Sequence, residues 1–265
     1  AEASPERVSG RGAASSRVID GPPPPVAPAV INRDAEGRVT VRATRLTEEI
    51  SLDGRLDEPG YQTVPALTDF VQQMPNPGTP ASEKTEAWIL FDEENLYVGG
   101  RVWDSAPPSE WIANEMRRDS YQLFQNETFW LGLDTFYDRR NGVVFFVNPL
   151  GGFTDFAFTN EGNPNLDWNP VWDVRTGRFE GGWTVEMEIP FRTLRYRPGP
   201  DQVWGVQLRR NIRRKNESAF LTSVPIAVGR RGIFRVSDAA TLVGLEVPET
   251  SNTLDIKPYG IAGLT

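Results

Sequence analysis

Residues 50–61 read Ile50-Ser51-Leu52-Asp53-Gly54-Arg55-Leu56-Asp57-Glu58-Pro59-Gly60-Tyr61. A short apolar/polar alternation runs into Asp-Gly, and an acidic pair and an aromatic follow. Asp-Gly suits a tight turn, because glycine takes positive φ at no steric cost and aspartate hydrogen-bonds its own backbone. A strand ending in Asp-Gly is common among β proteins, so the segments around it carry the weight.

Lys84–Asp104 reads as two strands around an acidic turn at Asp92–Asn95, with Trp88, Leu90, Tyr97, Gly99, Arg101 and Trp103 at alternating positions. Thr128–Tyr137 alternates too, but both of its faces are largely apolar. Val143–Val147 is a continuous apolar run bounded by Gly142 and Pro149, as in a strand buried on both sides. Val171–Arg175 and Trp183–Ile189 flank a Gly-rich connection and read as an antiparallel pair. Val203–Arg214 supplies a long strand, with Ala219–Val224 as its return partner. Helix signals are few: Ser109–Arg117, with Ser109 as its cap, and a single turn within Pro190–Tyr196. Many short strands punctuated by Gly and Pro predict an all-β chain folded as an antiparallel β-sandwich.

The 265 residues divide by composition into a Pro-rich arm over 1–38, the sandwich over 39–246, and a linker with one further strand over 247–265. The arm carries Gly21-Pro22-Pro23-Pro24-Pro25, which favours extended polyproline II and suits the surface of this chain or of a protein partner. With 38% hydrophobic residues, eight Trp and 14 Phe, the middle segment can build a sizeable core. A net charge of −8 argues against a nucleic-acid partner, since phosphate contacts need clustered cations. The one dense basic run, Arg209–Lys215, sits on a strand pattern and reads as cross-paired or solvated strand charge. Cysteine and histidine are absent. That removes disulfides, thiolate chemistry, a Ser-His-Asp triad and imidazole metal ligands, and it disfavours haem. Any metal must be held by oxygen, which points to calcium. Unperturbed side chains of the remaining types leave pH 6–8 free of titration. No apolar run reaches the length of a membrane-spanning helix. Ala1-Glu2-Ala3-Ser4 suits a mature end left by cleavage at a small-residue site, which is compatible with export.

Taken in order, Ile50–Tyr61, Lys84–Asp104, Trp130–Asp134, Gly182–Pro190 and Trp204–Val206 resemble the family 9 carbohydrate-binding module. They resemble most closely the version found at the N-terminus of a family of poorly characterised bacterial outer-membrane barrel proteins. The resemblance spans about residues 45–245. It implies a β-sandwich of that type and a carbohydrate partner, with a non-catalytic role in an exported, outer-membrane-associated protein on the periplasmic side or the cell surface. The terminal Leu254-Asp255-Ile256-Lys257-Pro258-Tyr259 resembles the first strand of the barrel in that family, and would join the module to the outer membrane. An edge strand or tail of the sandwich is the alternative reading of the same residues.

Sugar sites combine aromatic faces with a few placed amide, carboxylate and guanidinium groups. Modules of family 9 typically clamp a chain end between two Trp. The candidates for sugar contact are Trp103, Trp111, Trp168 and Trp172, all at or near predicted loops, whereas Trp88, Trp130, Trp183 and Trp204 sit inside strand patterns and read as core. Trp172 equally suits the core. Arg117 could reach a sugar hydroxyl or pair with Asp119 or Asp134. An oxygen-only calcium site is conceivable at Asp134, Asp138, Asn141 and Asp155, with surface turn residues as the alternative. Glu186 and Glu188 share one face of their strand, and cross-strand pairing with Arg209 and Arg213 competes with a glycoside-hydrolase carboxylate pair. A structural, protein-binding module is the rival to the sugar reading, and a hydrolase ranks third.

Overall fold

The computed structural model describes residues 18–199 and 201–248; the C-terminal strand expected at Leu254–Tyr259 lies outside them. The strands are β1 (Ile31–Arg33), β2 (Val39–Arg42), β3 (Thr44–Arg45), β4 (Val71–Met74), β5 (Thr85–Phe91), β6 (Asn95–Trp103), β7 (Thr128–Asp134) and β8 (Gly142–Val147). They continue with β9 (Phe153–Thr159), β10 (Asn163–Asn165), β11 (Asp173–Phe179), β12 (Gly182–Pro190), β13 (Asp201–Ile212), β14 (Glu217–Phe220) and β15 (Ala240–Glu246). One short helix, α1 (Pro59–Thr63), follows the Asp53–Glu58 loop. Among the described residues no helix is long and apolar enough to cross a membrane.

Two open sheets form the sandwich. The larger runs β1-β2-β15-β13-β7-β8-β9-β10, with β14 and β4 attached to the far half of β13. The smaller runs β11-β12-β6-β5-β3. Pairing is antiparallel except where β2 meets β15 and β3 meets β5. β13 is the spine of the larger sheet. It pairs with β7 along one edge, and with β15 and then β14 along the other.

The apolar residues divide into three layers, one between the sheets and one outside part of each. Ile89, Val98, Val185 and Met187 meet Leu131, Phe145, Val206 and Leu242 between the sheets. Trp130, Val144, Phe146, Phe156 and Phe158 lie outside the larger sheet beneath the segments around 123 and 224–239. Leu56, Tyr61, Trp88, Leu90 and Tyr97 lie outside the smaller one beneath residues 46–66. Hence Val143–Val147 reads as an unbroken apolar run: Phe145 and Val147 serve the inner layer, Val144 and Phe146 the outer.

The expected pairing of Trp183–Ile189 with Val203–Arg214 is corrected. β12 lies between β11 and β6 in the smaller sheet, and β13 lies in the larger. Both strands carry one apolar face, and those faces meet across the interior, which satisfies burial as well as a side-by-side pair would. Trp183, Val185, Met187, Ile189, Trp204, Val206 and Leu208 are all buried, as expected. The acids and bases thereby separate. Glu186 packs under the loop outside the smaller sheet, whereas Arg209 lies between the rings of Trp130 and Phe220 outside the larger.

Two local expectations also change. Ser109–Arg117 holds only one 3-10 turn, Pro108–Glu110, because the consecutive prolines 107 and 108 supply no amide donors and Pro107 takes the cap position. Residues 50–52 form no strand; they are the start of a covering loop. Part of the segment read as an arm lies on the domain. Thr40 Oγ1 donates to Pro22 O at 2.6 Å, Asn32 Nδ2 donates to Pro23 O at 2.8 Å, and β1 pairs with β2.

Within the basic run, Arg210, Arg214 and Lys215 are ion-paired. Arg210, fully buried, lies 3.4 Å from Asp104. Arg214 bridges Asp104 and Glu83, each at 2.6 Å, and Lys215 meets Glu83 at 2.6 Å. This network ties β13 and its following turn to the ends of β5 and β6, fastening one end of the sandwich. Glu127 sits beside it, accepting the Arg213 amide at 2.9 Å, and burial pushes its carboxyl up to about 7. Burial pushes Glu186 up to about 7 as well. The window from pH 6 to 8 is therefore occupied by buried carboxyls, despite the absence of histidine.

Trp204→Ala removes a fully buried indole, and should lower stability by about 3–5 kcal/mol in denaturant titrations. Between its ordinary value of 4.5 and about 7, the Glu127 carboxyl holds a proton in the folded chain that the unfolded chain releases. Stability therefore falls as pH rises through that window. Glu127→Gln should flatten part of this fall in denaturant midpoints measured from pH 4.5 to 8.

Candidate functional site

The β6–β12 pair organises the candidate residues, because its two ends carry separate clefts. Trp103 pairs with Gly182 at one end, and Asn95 pairs with Pro190 at the other. Trp103 and Trp111 belong to the first end, Trp168 and Trp172 to the second. The four indoles consequently cannot join in one clamp.

At the second end, residues 165–171 between β10 and β11 face the turn Phe191–Thr193 that follows β12. Their cleft, about 680 Å³, is lined by Trp168 together with polar groups of Asn165, Asp167, Asn169, Arg192 and Arg195. Trp168 is half-buried, its edge against Phe145 with centroids 5.7 Å apart. Val171, 68% exposed, forms a ridge between this cleft and a groove of about 340 Å³ that also contains Glu93, Glu94, Asp173 and Glu188.

The loop is held from beneath. The Val171 amide donates to Thr193 Oγ1 at 3.0 Å. Arg118 Nη2 donates to Asp155 Oδ2 at 3.0 Å, to Pro170 O at 3.3 Å and to Asn169 Oδ1. Trp172 Nε1 donates to the same Asp155 oxygen at 2.8 Å, and its ring packs edge-on against Phe145 and Phe153. Burial pushes the Asp155 carboxyl up to about 6, against the lowering effect of its Trp172 and Arg118 bonds. Trp172 is thus a core residue and a support for the cleft, not a sugar platform.

At the first end, Trp103 is half-buried and stacks edge-on with Phe179, centroids 4.8 Å apart. Its Nε1 donates to Glu86 Oε2 at 3.3 Å, and Lys84 Nζ lies 5.6 Å from the ring centroid. Trp111 is 8% exposed, with Nε1 donating to Ala106 O at 3.1 Å, so little of its face is offered to a ligand.

Arg117 does not line either cleft. It pairs with Glu115 at 2.8 Å and not with Asp119 or Asp134, and this pairing with the Ser120 hydroxyl holds the Glu115 carboxyl far below the usual range. Its neighbour Arg118 does the work expected of Arg117. The run Arg117-Arg118-Asp119 marks the right place, but backbone direction, which the sequence does not display, selects which guanidinium turns inward.

The proposed calcium set is not brought together. Asp134 accepts the amides of Asp138 at 3.1 Å and Arg139 at 2.7 Å, and Asp138 accepts those of Arg140 at 2.9 Å and Asn141 at 2.8 Å. These acids are caps of the turn between β7 and β8. Asp155 lies on β9, two strands away and three residues further along, bonded to Arg118 and Trp172. Sequence proximity and strand-end placement suggested a cluster, but the strand register separates it.

The sequence profile of a family described as carbohydrate family 9 binding domain-like matches residues 52–220. No curated protein matches the chain. Among solved structures, a family 9 carbohydrate-binding module from Caldicellulosiruptor kristjanssonii in complex with cellotriose is 15% identical, with a TM-score of 0.53 over 82% of this chain and 100% of that one. A module of the same family from the same organism in complex with glucose is 14% identical, with a TM-score of 0.50 over 83% and 100%. A protein of Bacteroides uniformis ATCC 8492 considered to bind carbohydrate is 9% identical, with a TM-score of 0.60 over 77% and 98%. Identities this low show a common fold.

Arg118→Ala leaves the buried Asp155 without its cation, and should cost about 1–3 kcal/mol. The loss should be greater at pH 8 than at pH 5, since Asp155 is ionised above about 6. Denaturant titrations at the two pH values measure it.

Proposed function

This chain belongs to the carbohydrate family 9 binding domain-like family, and from that membership we propose that it is a non-catalytic module that binds poly- or oligosaccharide. The observation that carries the reading is the open cleft beside Trp168. It sets one half-buried indole among two asparagines, an aspartate and two arginines. That is the combination a sugar ring needs, with apolar C–H surface on the indole and hydroxyls on the fixed polar groups. The Trp103–Phe179 end offers a second aromatic surface, where Trp103 is the ligand-facing candidate.

A glycoside hydrolase needs two carboxyl groups flanking the scissile bond. Glu188 lines the 340 Å³ groove, but Glu186 is fully buried with Oε2 bonded to two backbone amides. Their shared strand face is therefore split by the covering loop, which favours binding over turnover. Placement in the cell envelope, attached to the outer membrane through a following barrel, is part of the proposal and rests on the pattern at Leu254–Tyr259; fractionation of expressing cells tests it.

Glucose and cellotriose are the first probes, because related modules are seen with them. Calorimetry should give dissociation constants of about 1 µM to 1 mM, as for a small open site. Trp168→Ala should abolish this binding with only a partial loss of stability, since the half-buried indole packs against Phe145, and the chain should stay folded by circular dichroism; Trp103→Ala should leave binding intact. The reverse pattern moves the site to the Trp103 end. No binding across a glycan array, with the fold intact, favours a protein-docking module.

A further inference from the structure

Two adjacent arginines of β13, Arg209 and Arg210, are both buried, on opposite faces of the larger sheet. Arg210 turns toward the smaller sheet, where it meets Asp104, and the charges of Glu127, Glu83 and Glu217 act on it as well. Arg209 turns outward and pairs with no carboxylate among the described residues. Its guanidinium lies between the rings of Trp130 and Phe220, 5.0 and 5.3 Å from their centroids. Nη1 donates to Arg230 O at 3.1 Å, and Nε is buried without a hydrogen-bond partner. Nη2 makes no hydrogen bond among the described residues, yet it is not sealed from solvent. Burial, and after it the charge of Arg230, lower the Arg209 pKa to about 9, and no acid acts in the opposite direction. The group is therefore a cation at neutral pH.

Ring faces and one carbonyl supply partial negative charge, not a counterion, and burying a cation without one is costly. The segment that covers Arg209 does not supply one. The 3-10 stretch Ile226–Phe234 crosses this face, tied down by Gln73 Nε2 donating to Pro225 O at 3.2 Å and Gly229 O at 2.9 Å. It brings Arg230 and then Arg231, both exposed and neither in an ion pair among the described residues. In a chain of net charge −8, this is positive charge gathered against the average. We propose that Arg209 and Arg230, with Arg231 at the rim, form a binding site for one oxyanion group, the carboxylate of an acidic sugar or a free phosphate. A guanidinium fork matches both carboxylate and phosphate geometry. The flanking rings hold the plane of Arg209 fixed, so its outward N–H groups are oriented before the anion arrives. The low-dielectric surroundings that make the unpaired cation costly also strengthen its bond to an anion. A few arginines around one slot suit a single group and not a nucleic-acid backbone, which needs a track of cations. The site lies outside both clefts, so it does not depend on the sugar reading.

The test is calorimetric titration of the full chain with sodium phosphate and separately with sodium galacturonate, at constant ionic strength made up with sodium chloride. At least one of the two should bind saturably, one per chain, with a dissociation constant of about 0.1–10 mM. Tighter phosphate identifies a free tetrahedral ion as the ligand, and tighter galacturonate identifies an acidic sugar. Arg230→Gln, at an exposed position, should weaken binding about fivefold or more while the chain stays folded by circular dichroism. Arg175→Gln, which removes the same charge from β11 in the other sheet, should bind as the unaltered chain does. The bound anion should raise the denaturant midpoint above its value in chloride, and Arg209→Met, which leaves an apolar group between the two rings, should lose that rise. No saturable binding of either anion below about 10 mM overturns the proposal. So does unchanged binding in Arg230→Gln, an equal loss in Arg175→Gln, or an anion-dependent rise that survives in Arg209→Met.

Discussion

The capture of two backbone amides by one buried carboxylate holds the outside of the smaller sheet in place. Glu186 points away from the interior of the sandwich, where its strand neighbours Val185 and Met187 point in. Left open, it would be a solvated strand acid. Instead it receives the Asp53 and Gly54 amides, while the Thr184 hydroxyl donates to the Gly54 carbonyl. The turn can come this close because Gly54 adopts a φ of +85° and a Cβ there would stand 2.8 Å from the backbone of Thr176. The loop so pinned delivers Leu56 and Tyr61 onto Trp88, and Tyr61 fits because Gly99 lacks the Cβ that would stand 2.5 Å from its ring. An apolar layer outside the sheet follows from a single polar capture.

The same economy appears at the end of the sandwich where the basic run turns. Burying Arg210, Asp104 and Glu127 carries a desolvation cost that a hydrophobic cluster would not. What the network adds is a fixed relation between the sheets: Arg210 also donates to Lys84 O, and Arg214 reaches both Glu83 and Asp104. At the opposite end the loop and turn bearing Trp168 and Arg192 leave the cleft open. One end is locked by charge and the other is shaped for contact.

Much of the fold was legible because burial writes itself into strand periodicity. Trp183 to Ile189 and Trp204 to Leu208 each show one apolar face, and Val143–Val147 shows two. What periodicity omits is which face meets which. Two strands with the same pattern can lie side by side or face to face, and β12 and β13 chose the latter. The site was less legible. Trp172 sits in a loop-like stretch rich in Asn and Pro, yet its indole N–H finds the buried Asp155, a partner 17 positions earlier in the chain. Arg118 and Arg117 are adjacent and chemically alike; only the path of the backbone separates the cleft support from the exposed ion pair. Protonation near neutrality was invisible for a related reason. It arises at Glu127 and Glu186 from burial, and burial is a property of the fold and not of residue type.

The parallel contact between β2 and β15 has a mechanical side. Thr40, Val41 and Arg42 register with Thr241, Leu242 and Val243, so the strand near the start of the domain and the strand near its end run alongside each other in the same direction. Tension applied through the flanking segments first peels β1 from β2 one pair at a time, since that contact is antiparallel and opens like a zipper. The load then falls on β2 and β15 along their length, and their hydrogen bonds must shear together. A sandwich closed in this way resists pulling from its ends more than its modest number of terminal contacts suggests.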